Sequence, residues 1–211
     1  MTLKGWEKKY LEILSEFNYD RRREIRSAKI LDSLLKTRLP LNKIEKKIKN
    51  KTVFVVGAGP SLVSSLPYLK KFKKFTMIVA DGATQALIEN KIMPEFVVTD
   101  LDGNMDCLKK ASESKSIMIV HSHGDNINKL PYAILFKYCI GTTEDKPFGR
   151  IRNFGGFTDG DRCVFLANHF GASKIILIGM DFGRNIGKYS KEGIHKKEIK
   201  LEKLRKGKSL L

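Results

Sequence analysis

Two aspartates, Asp100 and Asp102, directly follow an apolar run that ends at Thr99. Residues i and i+2 of an extended segment point the same way, so both carboxylates are expected to face one spot. A hard divalent cation relieves the repulsion between two such anions, and Mg2+ typically takes one or two carboxylates together with water and substrate phosphate oxygens. The pair therefore predicts a magnesium site that handles a phosphorylated substrate; the alternative is a plain turn and helix cap.

The loop after an earlier apolar run consists of Gly57, Ala58, Gly59, Pro60 and Ser61. Glycines let the backbone approach a ligand closely, and a proline and a serine can begin a helix whose free N–H groups face an anion. We therefore expect this loop to bind a phosphate or a carboxylate. It is neither GxGxxG nor a Walker loop, since neither the third glycine nor GK[ST] is present, and a tight strand-to-helix turn is the alternative.

Three other apolar runs also end in polar residues. These residues are Asp81 with Gly82, then His121, His123, Asp125 and Asn126, and finally Asp181. Ligands bind beyond the carboxyl ends of the strands in a parallel sheet, so these groups are expected to share one site. For the histidine-rich segment three interpretations stay open: ligands of a transition metal, acid–base and phosphate contacts, or a polar loop without chemistry.

The long stretch 141–161 has no regular pattern, which is typical of a binding loop, although an ordinary surface excursion is the alternative. Its arginines could clamp phosphates, a phenylalanine could stack on a heterocycle, and a threonine with an aspartate could begin the next helix. The residues meant are Arg150, Arg152, Phe154, Phe157, Thr158 and Asp159.

These groups need a scaffold that brings them together. From residue 52 onward, short apolar runs alternate with amphipathic stretches, which predicts an α/β fold of the doubly wound, Rossmann-like class with a mainly parallel sheet. The predicted strands are 52–56, 75–80, 95–99, 116–120, 135–140 and 174–178. The predicted helices between them are 61–72, 83–91, 104–113, 126–134 and 160–170.

Both ends of the chain are basic and have a helical pattern. The net charge is +17, of which residues 1–51 carry +8, residues 52–183 carry +2 and residues 184–211 carry +7. We therefore expect a helical N-terminal extension over 1–51 that Pro40 closes, a catalytic core over 52–183 and a basic C-terminal helix over 184–211. Such ends are typical of a lysine-rich surface, and they could also attract polyphosphate substrates or hold RNA weakly.

The sequence shows no sign of a membrane or secreted protein. No apolar run approaches the roughly 20 residues of a membrane span, and the N-terminus lacks the apolar block of a secretory signal. The 3 cysteines have neither metal-site nor disulfide-framework spacing. We therefore expect a cytoplasmic protein without a membrane partner.

The strand-end motifs resemble two known families. Asp81-Gly82-Ala83 and the later stretch from Pro94 to Asp102, of the form P-x-x-x-x-T-D-x-D, resemble the catalytic half of thiamin pyrophosphokinases. The β-rich thiamin-binding domain of that family has no counterpart in the pattern after residue 183. With GAGPS before these motifs, and HSHGDN, GGFTDGDR and GMDFG after them, residues 52–183 look closer to the archaeal 6-hydroxymethyl-7,8-dihydropterin pyrophosphokinases.

The second resemblance implies a reaction of folate or methanopterin precursor synthesis. The hydroxymethyl oxygen of the pterin would attack the β-phosphorus of ATP, take up diphosphate and release AMP. It implies that one or two Mg2+ ions are surrounded by Asp81, Asp100, Asp102 and Asp125, and that Asp100 or Asp125 accepts the hydroxyl proton. The pterin is expected at the long loop, near Asn153, Phe154, Gly155, Gly156 and Asp181.

Other functions compete with this one. A GxGPS loop after a first strand also resembles nucleotide-sugar-dependent glycosyltransferases, although the acidic pair argues against them. RNA binding through the basic ends ranks lowest because no RNP or KH motif is present, and the missing third glycine disfavours an NAD-binding domain. A homodimer formed through the N-terminal helices is a further prediction.

Overall fold

The computed structural model describes residues 4–36, 39–190 and 197–211. Six strands within these ranges form a single parallel sheet. The strands are β1 Thr52–Val56, β2 Thr76–Ala80, β3 Phe96–Thr99, β4 Ile117–His121, β5 Cys139–Thr142 and β6 Lys174–Ile178. Their order across the sheet is β5-β4-β3-β2-β1-β6.

Helices cover both faces of the sheet, so the predicted doubly wound α/β class is confirmed. The helices are α1 Trp6–Glu16, α2 Arg21–Leu34, α3 Leu41–Ile48, α4 Leu62–Lys71, α5 Asp81–Glu89, α6 Met105–Glu113, α7 Asp159–His169 and α8 Lys197–Leu210. Helices α3 and α7 pack on one face, through residues such as Ile48 and Leu166. Helices α4, α5 and α6 pack on the other. Burial on both faces explains why the strands are continuous apolar runs.

The strand order fixes where a ligand can enter. Strands β1 to β5 follow one another in one direction, and the chain then crosses back through α7 to place β6 beside β1. The carboxyl ends of all six parallel strands meet at one edge, and the reversal of direction opens a crevice between β1 and β6. Polar residues that follow the strands therefore line up along this edge in the order of the strands.

The terminal helices pack against the same edge. Trp6 and Tyr10 of α1 form an apolar cluster with Phe157, which precedes α7. Lys206 of α8 donates a hydrogen bond of 2.6 Å to Glu16 of α1, so the two ends of the chain touch. Within the ranges described, no helix is long and apolar enough to cross a membrane.

Three local predictions are wrong in detail. Residues 126–134 do not form an α-helix; a turn leads into a 3-10 helix at Leu130–Leu135, with Pro131 in its first turn. This helix takes up Leu135, so the strand predicted over 135–140 lies at Cys139–Thr142 instead. Pro40 does not close the helical section, because it caps α3. In the C-terminal segment α8 begins at Lys197, and residues 191–196 lie outside the described ranges.

Candidate active site

A cavity of about 280 Å3 opens at the carboxyl edge of the sheet. Its lining falls into three groups that follow the strand order. The glycine end, beside β6 and β1, contains Gly57, Gly59, Asp181 and Gly187. The acidic centre, beyond β2 and β3, contains Asp81, Asp100, Asp102 and Asp159. The helical end, near β4, β5 and α2, contains Tyr19, Glu24, Glu144, Phe157 and Arg162.

Asp81 is the most deeply buried carboxylate of the acidic centre. Its Oδ2 accepts hydrogen bonds from Thr99 Oγ1 at 2.6 Å and from Gly103 N at 2.9 Å. Its Oδ1 is buried and accepts no hydrogen bond from any residue that the structure describes. Burial, together with the charges of Asp100 and Asp102, raises the pKa of Asp81 to about 7. A buried carboxylate oxygen without a partner is costly, and a cation would satisfy it.

Asp100 is held as an anion by a histidine. Burial opposes its ionisation, but His123, a hydrogen bond with Asp102 and the charge of Arg162 together lower the pKa of Asp100. His123 Nε2 lies 3.4 Å from Asp100 Oδ2, and His123 Nδ1 accepts a hydrogen bond from Asp125 N at 3.2 Å. Because Nδ1 is an acceptor, Nε2 carries the proton and points it at Asp100.

The backbone between the two aspartates of the pair is strained. Leu101 adopts a left-handed conformation with φ 66°, which is rare for a residue with a branched side chain. Its N–H donates to Thr99 Oγ1 at 2.8 Å, and Asp102 N donates to Asp100 Oδ1 at 3.2 Å. Such strain persists where the surroundings hold it in place, and it clusters at functional sites.

The three carboxylates together fit a hard divalent cation. One oxygen from each of Asp81, Asp100 and Asp102 lies within 4.8 Å of the others. All three donors are carboxylate oxygens, the ligand type of Mg2+ rather than of a softer transition metal. The N-cap of α6 is Asn104, whose Oδ1 accepts a hydrogen bond from Cys107 N at 3.1 Å. Asp102 therefore does not cap that helix.

Asp159 adds a fourth carboxylate to this centre from the first turn of α7, where the sequence predicts the helix to begin. Burial and the charge of Asp100 raise its pKa well above the usual range. Arg162 Nη1 lies 3.6 Å from Asp159 Oδ1 and partly offsets this repulsion. Four carboxylates thus lie together at the acidic centre, with His123 and Arg162 in the same cavity lining.

The glycine end was expected to bind an external anion, but a carboxylate of the protein already binds there. Asp181 Oδ2 accepts hydrogen bonds from Ser61 N at 2.9 Å and Ser61 Oγ at 2.8 Å. A carboxylate of the protein itself thus takes the place expected for an external anion. Gly59 has to be glycine, since a Cβ there would lie 2.3 Å from Asp181 Oδ2.

The helical end contains two buried glutamates. Glu144 Oε1 is ion-paired with Arg162 Nη2. Glu24, on α2, accepts a hydrogen bond from Gly124 N at 2.9 Å through Oε1. Phe157 and Tyr19 supply apolar surface beside them, with ring centroids 6.4 Å apart. Burial raises the pKa of Glu144 to about 7.

Several predicted site residues lie outside the lining of this cavity. The side chain of Asp125 is 63% exposed and its Oδ1 lies 3.7 Å from Arg23 Nη2, so it does not join the three carboxylates. His121 is buried beneath the site, with Nδ1 3.1 Å from Thr142 Oγ1. Asn126 is a positioning residue, since its Nδ2 donates to the backbone oxygens of Asp100 and His121 at 2.7 and 2.8 Å.

The two predicted arginines of the long loop and Phe154 also lie outside this lining, whereas Phe157 is part of it. Arg150 N donates to Asp32 Oδ1 at 2.6 Å, and Arg152 Nη1 donates to the backbone oxygen of Gly149 at 3.1 Å. Phe154 packs in the core, with its ring centroid 4.8 Å from that of His169.

Two glycines and the Pro60–Ser61 pair complete the predicted set. Gly156 packs against Arg162, where a Cβ would lie 2.6 Å from the Arg162 Cα. Gly82 lines the cavity, whereas Pro60 and Ser61 are not among its lining residues. His123, Thr158 and the members of the acidic centre and glycine end named above do line it.

Sequence reasoning found Phe157 but missed the four other residues of the helical end. Glu144 is the second residue after β5, and the strand-end rule would have found it had that strand been placed at 139–142. Arg162 lies inside the GGFTDGDR stretch but was not singled out. Tyr19 and Glu24 come from the N-terminal extension, and no local pattern marks them as cavity residues.

Comparison with known proteins identifies the family to which the chain is similar. Residues 28–187 match the family described as 6-hydroxymethylpterin diphosphokinase MptE-like. Three curated relatives, from Methanocaldococcus jannaschii, Methanothermobacter thermautotrophicus and Pyrococcus furiosus, are each named 6-hydroxymethyl-7,8-dihydropterin pyrophosphokinase. They are 40%, 43% and 42% identical to this chain, over 100%, 90% and 100% of it and 95%, 83% and 93% of their own lengths.

A solved structure of the MAf glycosyltransferase from Magnetospirillum magneticum AMB-1 matches 80% of this chain and 30% of its own, with 15% identity and a TM-score of 0.49. A likeness at that level carries no argument about function. The family match covers most of the chain, and the relatives align along nearly its whole length. The chain belongs to the 6-hydroxymethylpterin diphosphokinase MptE-like family.

Proposed function

We propose that the protein transfers diphosphate from ATP to the hydroxymethyl group of 6-hydroxymethyl-7,8-dihydropterin, with Mg2+ held by Asp81, Asp100 and Asp102. The observation that carries this proposal is the cluster of three carboxylates in the cavity, one of which has a buried oxygen without a hydrogen-bond partner among the described residues. The relatives' names supply the substrates.

In the proposed reaction the hydroxymethyl oxygen forms a bond to the β-phosphorus of ATP. The bond between that phosphorus and the oxygen shared with the α-phosphate breaks, AMP leaves, and the hydroxyl proton passes to a carboxylate of the acidic centre or to water. Such a transfer is mostly a matter of positioning and charge neutralisation. Bound Mg2+ would supply the positive charge that lets the phosphate oxygens approach four carboxylates.

The protein's own residues orient the reactants. His123 fixes Asp100 as an anion, while Thr99 and Gly103 fix one oxygen of Asp81 and leave the other facing the centre. The glycine end lies at the crevice between β1 and β6, where nucleotides bind in open parallel sheets. We therefore place the nucleotide there and the β-phosphorus over the acidic centre.

We further propose that the enzyme works in the cytoplasm and that it is a homodimer.

A parallel acceptor assay tests the proposed function. Purified protein is given ATP and Mg2+ with the pterin, with thiamin, or with no acceptor, and binding of nucleotide sugars is measured separately. AMP and pterin diphosphate formed only with the pterin are expected. AMP formed with thiamin would show that thiamin is the acceptor. Binding of nucleotide sugars without AMP formation would favour a glycosyltransferase.

A further inference from the structure

The strand order places the glycine end and the helical end of the cavity on opposite sides of the acidic centre. The glycine end follows β6 and β1, the three carboxylates follow β2 and β3, and His123 and Glu144 follow β4 and β5. A nucleotide at the glycine end leaves the helical end for the acceptor. The acceptor oxygen and the leaving AMP must lie on opposite sides of the β-phosphorus in an in-line transfer, and this arrangement meets that requirement.

Glu24 is the unusual residue of the helical end. It lines the cavity, and the residue is only 7% exposed. Oε1 accepts from Gly124 N, while Oε2 accepts no hydrogen bond from the described part of the chain. No arginine or lysine of that part lies within ion-pair distance of this carboxylate, unlike Glu144, which pairs with Arg162. A carboxylate on the cavity wall whose second oxygen has no donor among the described residues is available to hydrogen-bond donors from a ligand.

The pterin offers such donors. One edge of its pyrimidine ring carries the N3 hydrogen next to the 2-amino group, with the 4-oxo oxygen on the other side of N3. A carboxylate accepts at about four lone-pair positions and matches two adjacent N–H donors. Arg162, which lines the same end of the cavity, has the donors that a 4-oxo oxygen requires.

We propose that Glu24 recognises the N3 hydrogen and the 2-amino group of the pterin and so selects the acceptor. This proposal rests on the proposed function and deepens it. Glu24 belongs to α2, so the N-terminal extension supplies a substrate-binding residue to the strand-end site. Tyr19 and Phe157 line the cavity beside it and cover the flat ring system.

The test compares two acceptors in four proteins. The second acceptor is 6-hydroxymethyl-7,8-dihydrolumazine, in which an oxo group replaces the 2-amino group. The proteins are the wild type, Glu24→Gln, Glu24→Asp and, as a matched control, Glu12→Gln at an exposed position of α1. Glutamine keeps an oxygen for Gly124 N and gains an amide N–H that suits the oxo group. Pterin binding is also measured directly by its fluorescence, and each melting temperature is recorded.

The wild type is expected to prefer the pterin in kcat/KM by at least about 30-fold, because the lumazine would leave Glu24 facing an oxygen. In Glu24→Gln, KM and Kd for the pterin rise by about 10-fold or more, KM for ATP changes less than 2-fold, and the preference falls by about 10-fold or more. Glu24→Asp retains the preference for the pterin, and Glu12→Gln behaves as the wild type.

Two results would overturn the inference. An unchanged preference in Glu24→Gln, with normal turnover, would show that Glu24 only ties α2 to the loop after β4. A lowered melting temperature together with equal rises in both KM values would also assign it a purely structural role. A wild type that makes AMP with neither acceptor would instead refute the proposed function, and this inference with it.

Discussion

At the scale of single residues, the acidic centre depends on the absence of a side chain at position 103. A Cβ on Gly103 would lie 1.6 Å from Asp81 Oδ1 and 2.5 Å from the carboxyl carbon, so only glycine lets the loop after β3 close over this side chain. The same glycine donates its N–H to Asp81 Oδ2. The position of the buried carboxylate and the path of the loop are therefore set together.

Gly103→Ala is accordingly expected to displace Asp81 and to lower kcat by about 100-fold, since a misplacement of about 1 Å in a catalytic site has that effect. The Mg2+ concentration for half-maximal activity should rise in the same variant. Steady-state kinetics across a Mg2+ titration measure both quantities. Gly183→Ala is the control, since a Cβ there would meet nothing within 4 Å. Equal activity of the two variants would contradict the role given to Asp81.

Residue types and spacing predicted the three carboxylates because each follows an apolar run directly. Glu24 could not be predicted in this way. It lies on an amphipathic helix where a buried glutamate and a surface glutamate have the same local pattern, and only the packing of α2 against the loop after β4 distinguishes them. The site roles of Asp125, Arg150 and Arg152 stay predictions, and their placement outside the cavity lining does not support them.

At the scale of elements, α2 is the part of the N-terminal extension that reaches the cavity. Arg21 at its start holds Asp145, after β5, through two hydrogen bonds of 2.7 and 2.9 Å. Gly124 N binds Glu24 one turn further on. These contacts join the helix to the loops after two neighbouring strands, β4 and β5.

Arg21→Met should lower the free energy of unfolding at pH 7 by about 0.5–1 kcal/mol, a small value because the arginine is partly exposed. The hydrogen bonds from Arg21 lower the pKa of Asp145 below 3.8. The contribution of this pair is therefore present above about pH 4 and is lost as the pH falls through the folded-state pKa. Urea unfolding of the wild type and of Arg21→Met at pH 7 and pH 3 measures the contribution of this pair to the free energy of unfolding.

The control for this prediction is Arg22→Met, an exposed neighbour on the same helix. It should unfold like the wild type at both pH values. A difference between Arg21→Met and the wild type that stays constant down to pH 3 would show that the pair with Asp145 is not its source.

The sheet was predictable because five of its strands are apolar runs followed directly by glycine, aspartate or histidine. The connection from β4 to β5 was not, because Leu130 to Leu135 has an apolar pattern that fits an α-helix, a strand or the 3-10 helix that forms. Pro131 in its first turn is compatible with both kinds of helix, so the local sequence could not decide between them.

At the scale of the whole molecule, the cavity is built from both ends of the chain as well as from its middle. Lys203 of α8 lies 5.4 Å from the ring centroid of Tyr19 and 6.0 Å from that of Phe157. Lys200 and Lys203 of the basic C-terminal helix thus line the cavity, which gives part of the basic charge a place at the candidate site. The predicted boundaries at residues 51 and 184 stay predictions.

Because so many segments meet at the cavity, ligand binding should stabilise the whole fold. ATP at 100 times its Kd is expected to add about 2.7 kcal/mol and to raise the melting temperature by roughly 5–10 °C, provided that Mg2+ is present. EDTA should remove most of this rise, because the triphosphate then meets the acidic centre without a cation between them. Differential scanning calorimetry measures it, and an undiminished rise in EDTA would contradict a metal-mediated phosphate site.

The central claim is that diphosphate transfer takes place at Asp81, Asp100 and Asp102. Its most direct test is 31P NMR of the products formed by the wild type, by Asp102→Asn and by Asp106→Asn, a control at an exposed position on α6. The wild type and the control should form AMP and pterin diphosphate in equal amounts, with both phosphorus atoms of the product from the β and γ positions of ATP. Asp102→Asn should form less than about 1% as much. Undiminished product from Asp102→Asn, or ADP with pterin monophosphate from the wild type, would contradict the account.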